Sequence, residues 1–415
     1  MKASELRVSA ERIDGTFDLL DAYEPGDGFA FQRHGGGVAS RGAAVRIVVP
    51  AGPDQVARAA ALAMEALERA GRPKEGPAPV LVGALPFDGL TPATLVIPSD
   101  AVVRQADGRT WRLRVDGERD RVGTAEPRRR QEPAPAADDG RAPRRFDLVP
   151  FPTAEGYMSA VDEATRMIRA GELEKVVLAR MLLARADVDI DRRDLLDRLR
   201  EREPDAYVFA VHGFVGASPE LLVARSGVEV RSNPLAGTTA RSPDPAEDRV
   251  AAERLLASRK DRLEHAPVVD AVRSALAPSC VSLAADASPE LLATGAVWHL
   301  STPVRGILRE PAPSAMDLAA MLHPTPAVCG SPRDAAMAAI HRLESIDRTL
   351  YAGIVGWMDA DGDGEWAVAL RCAEIQGRLA SLFAGAGIVA DSEPRAELDE
   401  TAAKFRSMLG ALGRG

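Results

Sequence analysis

Three ionisable residues near the end of the chain have the spacing of a small ion-binding site. Glu397, Glu400 and Lys404 follow one another at intervals of three and four residues, so a helix places them on one face. Two carboxylates one turn apart can bind a hard cation such as Mg²⁺, and the lysine could bind a substrate carboxylate beside it. The same spacing occurs in solvent-exposed Glu–Lys pairs, which stabilise a helix by about 0.2–0.5 kcal/mol. The helix alone favours the solvent-exposed interpretation.

Lysine is scarce in this chain, which draws attention to the positions where it remains. Of the 52 basic residues only five are lysines, and the other 47 are arginines. A lysine can act as a base in suitable surroundings, whereas an arginine stays protonated at any working pH. Lys175, Lys260 and Lys404 lie in segments that are dense in other candidate residues.

Two glycine-containing segments could bring backbone N–H groups close to a ligand. Residues 234–241 (PLAGTTAR) combine a predicted glycine turn with two hydroxyls, and residues 384–389 (AGAGIV) place glycines in a strand. Between them, Glu264 and His265 lie in a charged helical stretch, where a solvent-exposed face is the simpler interpretation. None of these segments identifies a function by itself.

Several common enzyme classes are disfavoured. Residues 359–365 (DADGDGE) resemble the start of a calcium loop, but position 12 would be Leu370 and the flanks are strand-like. We therefore predict a hairpin turn there. No GxSxG, HExxH, Walker or dinucleotide-binding motif occurs in its expected setting.

Composition indicates a folded, soluble protein. The chain has 415 residues, of which 46% are hydrophobic and 27% charged, which fits two or three domains or one large two-layer body. A net charge of −9 argues against nucleic acids and anionic membranes as partners. We find no spanning apolar run and no secretion signal, so we expect a cytoplasmic protein. The three cysteines are too far apart to indicate a disulfide framework or a zinc site.

The order of predicted elements indicates an α+β fold with large antiparallel sheets. Helices are predicted over 53–70, 152–170, 191–203, 245–276, 315–322, 332–348 and 393–412. Strands are predicted over 44–50, 80–85, 93–104, 110–115, 175–183, 206–213, 220–225, 298–309, 351–358, 365–375 and 381–388, the last three as a meander.

One segment divides the chain into two portions. Residues 123–145 are rich in Pro, Ala and charge, without periodicity, and we predict a flexible loop or linker. It separates an N-terminal α/β portion, residues 1–122, from residues 146–415, where the candidate motifs lie.

Ten segments of the second portion, taken in order, resemble the chorismate-utilising enzyme family, which includes anthranilate synthase component I. They are EKVVLAR (174–180), ASPELL (217–222), PLAGT (234–238), KDRLEH (260–265), WHLST (298–302), LHPTPAVCG (322–330), YAGIVGW (351–357), GEWAVALRCA (364–373), AGAGIV (384–389) and ETAAK (400–404). The strongest likeness is to the isochorismate synthases of that family. The resemblance implies two pseudo-related halves, each an antiparallel sheet, packed face to face with helices outside.

The resemblance also implies a chemistry: Mg²⁺-dependent conversion of chorismate to isochorismate without an organic cofactor. Water attacks ring C2 and the hydroxyl leaves C4, which requires a base and an acid. Lys175 matches the base and Glu220 the acid. A lysine base needs a lowered pKa and a glutamic acid donor a raised one.

Further positions are assigned by the same resemblance. Glu264 and Glu400 match the Mg²⁺ ligands, with Glu397 as a neighbouring carboxylate. Substrate contacts are matched by Gly237, Thr238, His299, Ala327, Arg371, Gly387 and Lys404.

Other functions stay open at this point. Salicylate synthases share the first step and then eliminate pyruvate, whereas anthranilate and aminodeoxychorismate synthases use ammonia, usually with a glutaminase partner. A catalytically silent chorismate-binding protein is a fourth possibility, but such a protein would be expected to have lost at least one of Lys175, Glu220, Glu264, Glu400 and Lys404. We expect a monomer without an obligate glutaminase subunit, whose product feeds siderophore, menaquinone or related secondary metabolism.

Overall fold

A computed structural model describes residues 6–116 and 145–413, in which strands dominate and helices stand between groups of strands. The α-helices are α1 (Gln55–Ala70), α2 (Ala154–Arg169), α3 (Arg192–Arg202), α4 (Pro245–Ala257), α5 (Arg259–Leu276), α6 (Ala315–Leu322), α7 (Arg333–Leu343) and α8 (Pro394–Leu412). The strands are β1 (Arg7–Ile13), β2 (Phe29–Arg33), β3 (Gly36–Arg41), β4 (Val45–Val49), β5 (Val80–Leu85), β6 (Ala93–Ile97), β7 (Asp100–Arg104), β8 (Thr110–Asp116), β9 (Phe146–Phe151), β10 (Lys175–Ala186), β11 (Tyr207–Val211), β12 (Phe214–Ser218), β13 (Leu221–Ser226), β14 (Glu229–Asn233), β15 (Leu235–Ala240), β16 (Cys280–Ala285), β17 (Glu290–Ala293), β18 (Val297–Ser301), β19 (Val304–Leu308), β20 (Gly330–Ser331), β21 (Ile354–Asp359), β22 (Gly364–Val368), β23 (Cys372–Gln376) and β24 (Leu379–Ile388).

These strands form two large antiparallel sheets and one small one. The larger sheet has 12 strands in the order β1-β8-β7-β3-β2-β11-β12-β23-β24-β10-β20, and β9 also pairs with β10. The second sheet has nine strands in the order β16-β19-β14-β13-β22-β21-β5-β6-β4, and the third has β15-β18-β17. Strands from before residue 117 pair with strands from after residue 145 in both large sheets, as in β2 with β11 and β5 with β21.

The two large sheets share one hydrophobic core, and the 12-stranded sheet carries a second core on its other face. In β2, Phe29 and Phe31 belong to the shared core, whereas Ala30 belongs to the second core. This is the period of two expected for a strand that is buried on both faces. Leu199 of α3 and Phe405 of α8 complete the second core from outside the sheet. The predicted α+β sandwich of antiparallel sheets with outer helices is therefore confirmed.

Two neighbouring strand pairs pass from one large sheet to the other at the same place. The strands β12 and β23 pair in the 12-stranded sheet, and their continuations β13 and β22 pair in the nine-stranded sheet. Ser218, which is fully buried, holds the two crossings together. Its hydroxyl donates to the Val368 carbonyl at 2.6 Å and accepts from the Glu220 N–H at 3.2 Å. Glu220 and Arg371 therefore lie at the crossing itself.

Several predicted elements were wrong in their extent, mostly because apolar patterning continues across a break. The segment 365–375 is two strands, β22 and β23, in different sheets, so the predicted meander is instead two separate hairpins. The segments 93–104 and 298–309 likewise each contain two strands, interrupted near Pro98 and Pro303. Proline has no N–H to donate to a ladder, which fits these breaks.

Two further corrections concern helices and a turn. The predicted helix 245–276 is divided at Ser258, whose side chain caps α5 by accepting from the Asp261 N–H. The helix predicted over 332–348 ends at Leu343. Within residues 234–241, Leu235–Ala240 form the strand β15, with an irregularity at Gly237, where φ is +75°. The hairpin predicted at 359–365 is present between β21 and β22.

The predicted linker, residues 123–145, lies outside the described residues apart from Arg145. Among the helices that are described, none combines the length and apolarity needed to cross a membrane.

We expect the shared core to be sensitive to loss of volume at β6. Leu95 is fully buried there, and replacing it by alanine should lower the free energy of unfolding by about 2–5 kcal/mol. Val48 on the neighbouring strand β4 is 63% exposed, so Val48→Ala should change it by less than about 0.5 kcal/mol. Urea denaturation of both variants tests this, and equal effects would contradict the assignment of the core.

Candidate active site

A solvent-connected cavity lies beside the point where the strands cross between the sheets. It collects residues from the 12-stranded sheet, the small sheet, two helices and the crossing itself. Eleven of the twelve residues selected from the sequence line it, and the exception is Glu397. The eleven are Lys175, Glu220, Gly237, Thr238, Glu264, His299, Ala327, Arg371, Gly387, Glu400 and Lys404.

The amine of Lys175 enters the cavity from the first residue of β10. The side chain is buried, and its Nζ lies 3.0 Å from Oε1 of Glu264, which comes from α5. Gly387 on the adjacent strand β24 leaves room for this pair. A β-carbon built on Gly387 would lie 2.6 Å from Glu264 Oε1 and 2.9 Å from Lys175 Cε. A residue with a side chain could not occupy this position without displacing the amine or the carboxylate.

The surroundings of Glu220 favour the protonated form of its carboxyl group. The residue is 3% exposed, and this burial raises its pKa to about 8. A hydrogen bond from the Leu235 backbone and the charges of Lys175 and Arg371 act in the opposite direction, but they do not cancel the effect of burial. At neutral pH Glu220 is therefore largely a neutral acid in a site that contains three cationic side chains.

A chain of three side chains fixes the guanidinium of Arg371. Its Nη2 lies 2.9 Å from Nε2 of His299, and Nδ1 of His299 lies 3.1 Å from Oγ1 of Thr238. Burial and the charge of Arg371 hold the pKa of His299 well below its usual value, so the ring is neutral. Since arginine can only donate, Nε2 must accept, and the ring proton is on Nδ1, from which it is donated to Thr238.

Arg371 also has an N–H group that is available to bind a ligand. Its Nε has no hydrogen-bond partner among the residues that the structure describes, although the side chain is only 8% exposed. Its φ of +48° is unusual for a residue with a side chain, and such conformations are found mostly at functional sites. A buried donor of this kind suits a carboxylate.

The helix α8 contributes Glu400 and Lys404 to the wall of the cavity. Nζ of Lys404 lies 2.7 Å from Oε1 of Glu400 and donates to the Gly385 carbonyl at 2.8 Å. The predicted helical spacing therefore does place these two side chains together, and they face a cavity instead of bulk solvent.

The carboxylates of the cavity fit a Mg²⁺ ion only in part. Within residues 6–116 and 145–413, no group of three or more His, Cys, Asp or Glu side chains is arranged to hold a metal ion as it stands. Glu264 and Glu400 nevertheless both line the cavity, and Mg²⁺ usually takes one or two carboxylates together with water and substrate oxygens. Burial raises the pKa of Glu397 to about 7, and the charges of Glu400 and Glu264 contribute to this shift. Such crowding of acidic groups fits a nearby cation.

Several lining residues were not selected from the sequence. They include Tyr351, whose buried ring stacks on Phe383 at 5.4 Å, and Gly385, where a β-carbon would approach the Tyr351 hydroxyl to 3.1 Å. Both lie in segments quoted for the family resemblance. The glycines of residues 384–389 indicate close approach to a ligand, whereas nothing in the residue type of Tyr351 indicates a position in the cavity. The remaining ones are Val177, Pro219, Leu235, Ala236, Ala352 and Leu370, whose residue types do not distinguish them from their neighbours in the sequence.

The protonation of His299 can be measured directly. We expect nitrogen-detected NMR to show a neutral ring with the proton on Nδ1 between pH 6 and 8. His323 is the internal control, because its Nε2 must donate to the Phe87 carbonyl at 3.0 Å and its ring should be the opposite neutral tautomer. A protonated His299 at pH 7, or a proton on its Nε2, would contradict the network with Arg371.

Comparison with known proteins agrees with this geometry. Residues 44–413 match a family model described as chorismate binding enzyme. The isochorismate synthase DhbC of Bacillus subtilis is 40% identical over 406 residues, which cover 95% of this chain and 96% of the relative. The isochorismate synthase EntC of Escherichia coli is 38% identical and covers 81% of each chain. The structure of MenF, the menaquinone-specific isochorismate synthase of Escherichia coli, superposes with a TM-score of 0.78 at 25% identity, covering 99% of this chain and 95% of that one. The chain belongs to the chorismate-binding enzyme family.

Proposed function

We propose that this protein is an isochorismate synthase, which converts chorismate to isochorismate by adding water at ring C2 as the hydroxyl leaves C4. The observation that carries the proposal is that an amine, Lys175, and a protonated carboxyl group, Glu220, line one cavity in a family of chorismate-binding enzymes. The isochorismate synthases named above, which match this chain over most of their length, support it.

Lys175 and Glu220 divide the proton transfers between them. In this proposal Lys175 acts as a neutral amine, having first given up the proton that it carries in the ion pair with Glu264, and takes a proton from the attacking water, while Glu220 gives its proton to the departing hydroxyl. Hydroxide is a poor leaving group, so the second transfer needs a donor that is still protonated at neutral pH. The pKa of about 8 gives Glu220 that property.

The cationic side chains bind and orient the substrate. Arg371 offers its unpartnered Nε to a substrate carboxylate, and its hydrogen bond to His299 fixes the plane of the guanidinium. Lys404 supplies a second positive charge from α8. We assign the close backbone contacts to Gly237, Thr238 and Gly387, and Ala327 to the wall of the cavity.

Glu264 and Glu400 would hold Mg²⁺, with Glu397 as an outer carboxylate. When bound, the metal would anchor the ring carboxylate of chorismate and offset the charge of these acidic groups. In the structure Glu264 forms an ion pair with Lys175, and Glu400 forms one with Lys404. Both lysines therefore also serve as counter-ions of these carboxylates.

Product analysis tests the proposal. Purified protein incubated with chorismate and Mg²⁺ should form isochorismate without pyruvate, and EDTA should abolish turnover. Salicylate with pyruvate would reassign the protein as a salicylate synthase, and turnover only with ammonia would reassign it to the anthranilate or aminodeoxychorismate branch. Failure to turn over chorismate under all these conditions would leave a binding protein. We also propose a monomer without a glutaminase subunit, which activity of the isolated monomeric chain would support.

The roles of the acid and the base predict large losses. Glu220→Gln and Lys175→Ala should each lower kcat by about 10²–10⁴-fold, because each removes one proton transfer. Steady-state kinetics with a folding control by circular dichroism measures this. Normal substrate binding with unchanged turnover in either variant would show that the assigned mechanism is wrong.

The raised pKa of Glu220 predicts the alkaline limb of the pH profile. The proton is held below about pH 8 and lost above it, so kcat/KM should decline as the pH rises through this value. The residual activity of Glu220→Gln should lack that limb. An alkaline limb that persists in this variant would assign the titration to another group.

Gly387 should tolerate no side chain. In Gly387→Ala the added methyl would displace Glu264 or Lys175, and kcat/KM should decrease by at least about tenfold, because small displacements of reacting groups are costly. Gly36→Ala is a matched control, because a β-carbon there meets its nearest atom only at 3.7 Å. Wild-type activity of Gly387→Ala would contradict the close packing around the amine.

A further inference from the structure

The edge of β10 that faces away from β24 is interrupted beside the cavity. On that edge, β20 pairs with Lys175 and Val176, and β9 pairs with residues 181–186. Between these two, residues 177–180 have no strand partner on this side within the described chain. Backbone groups buried at such a gap need other hydrogen-bond partners.

A loop carbonyl and two side chains take the place of the missing strand. The Val177 N–H donates to the Cys329 carbonyl at 2.8 Å, and the Val177 carbonyl accepts from Nη2 of Arg348 at 2.7 Å. The Ala179 N–H donates to Oε1 of Glu344 at 2.7 Å. Arg348 and Glu344 therefore complete the backbone hydrogen bonding of β10 two residues after Lys175.

The same guanidinium also binds the segment that precedes β20, which lies beside β10 and lines the cavity. Nη1 of Arg348 donates to the Val328 carbonyl at 2.9 Å, while Nε and Nη2 bind the two oxygens of Glu344 at 2.9 and 2.5 Å. Both side chains are only 4% exposed, and the guanidinium stacks over the ring of Phe87 at 4.2 Å. One planar group thus joins two cavity-lining residues, Val177 and Val328, that belong to different segments.

We propose that Arg348, oriented by Glu344, is a positioning residue for the reaction, which holds the part of the cavity wall formed by Ala327 and Val328 in place against the Lys175 strand. Arg348 does not line the cavity, so it acts only through the backbone of residues that do. This inference rests on the proposed function, because Lys175 is taken as the base.

The geometry requires arginine specifically. Its planar fork serves four acceptors at once: two carbonyls on separate segments and both oxygens of Glu344. A lysine keeps the buried charge but cannot donate in that pattern. Arg348→Lys therefore separates the positioning role from the presence of a positive charge.

The substrate-binding groups predict which kinetic constant should change. Arg371, His299 and Lys404 come from the crossing, β18 and α8, and none is bonded to Arg348. We therefore expect Arg348→Lys to lower kcat by at least about tenfold while KM for chorismate changes by less than about threefold. Hydrogen exchange should increase at the Val177 and Ala179 amides.

Arg112→Lys is the matched control. Arg112 makes a two-bonded pair with Asp100 on β8 and β7, which lie at the far end of the same 12-stranded sheet and do not line the cavity. Both variants are compared as folded proteins, below the melting temperature of each. The control should keep the wild-type kcat and KM even if its melting temperature falls.

The outcomes are distinguishable. A lowered kcat with KM retained, in Arg348→Lys but not in Arg112→Lys, supports the proposal. Wild-type kcat in folded Arg348→Lys overturns it and leaves a pair that only stabilises the fold. If Arg348→Lys does not fold, Glu344→Asp, which keeps the charge and withdraws the carboxylate by one methylene, decides by the same criteria. A wild-type protein that does not turn over chorismate overturns the proposed function instead.

Discussion

The site depends on the joint crossing of two strand pairs between the large sheets. Because β12 and β23 are already paired when they leave the 12-stranded sheet, β13 and β22 enter the nine-stranded sheet side by side. Residues on the short connections line the cavity, whereas in a continuous strand they would point into a packed layer. Glu220 lies on one connection and Arg371 on the other, and the Ser218 hydroxyl fixes their relative register. The acid and the carboxylate-binding group are thus placed by sheet topology, and the small sheet, α5 and α8 are arranged around them.

Burial then determines the charges at this crossing. Lys175 and Glu264 form one ion pair and Lys404 and Glu400 form another, so these four charges offset one another in pairs. Glu220 has no such direct partner, and desolvation therefore dominates its pKa. The result is a cavity in which fixed charges surround one carboxyl group that retains its proton. This division of roles among glutamates follows from their surroundings, since the side chains are chemically identical.

The sequence predicted most of the site but little of what holds it in place. Lys175, Glu220 and Arg371 lie in recognisable motifs, and the i+4 spacing placed Glu400 and Lys404 together. Spacing could not show that Glu397, one turn earlier, does not line the cavity, because that depends on how α8 packs. The strand breaks after residues 97, 301 and 368 were missed because strand-forming residues resume within a few positions of each break. Ser218, Glu344 and Arg348 bond chiefly to backbone groups distant in sequence, which residue type does not indicate.

The interleaving of early and late strands in both large sheets has a consequence for how the protein is made. The strand β5 can complete its pairing only when β21 is available, more than 250 residues later, and β2 requires β11. During synthesis β2 and β5 therefore leave the ribosome well before these partners, each with one edge still unpaired. Contacts this distant in sequence slow folding, and exposed strand edges promote aggregation. The cavity is thus assembled late, from parts that must be kept apart from other chains until the last helix is complete.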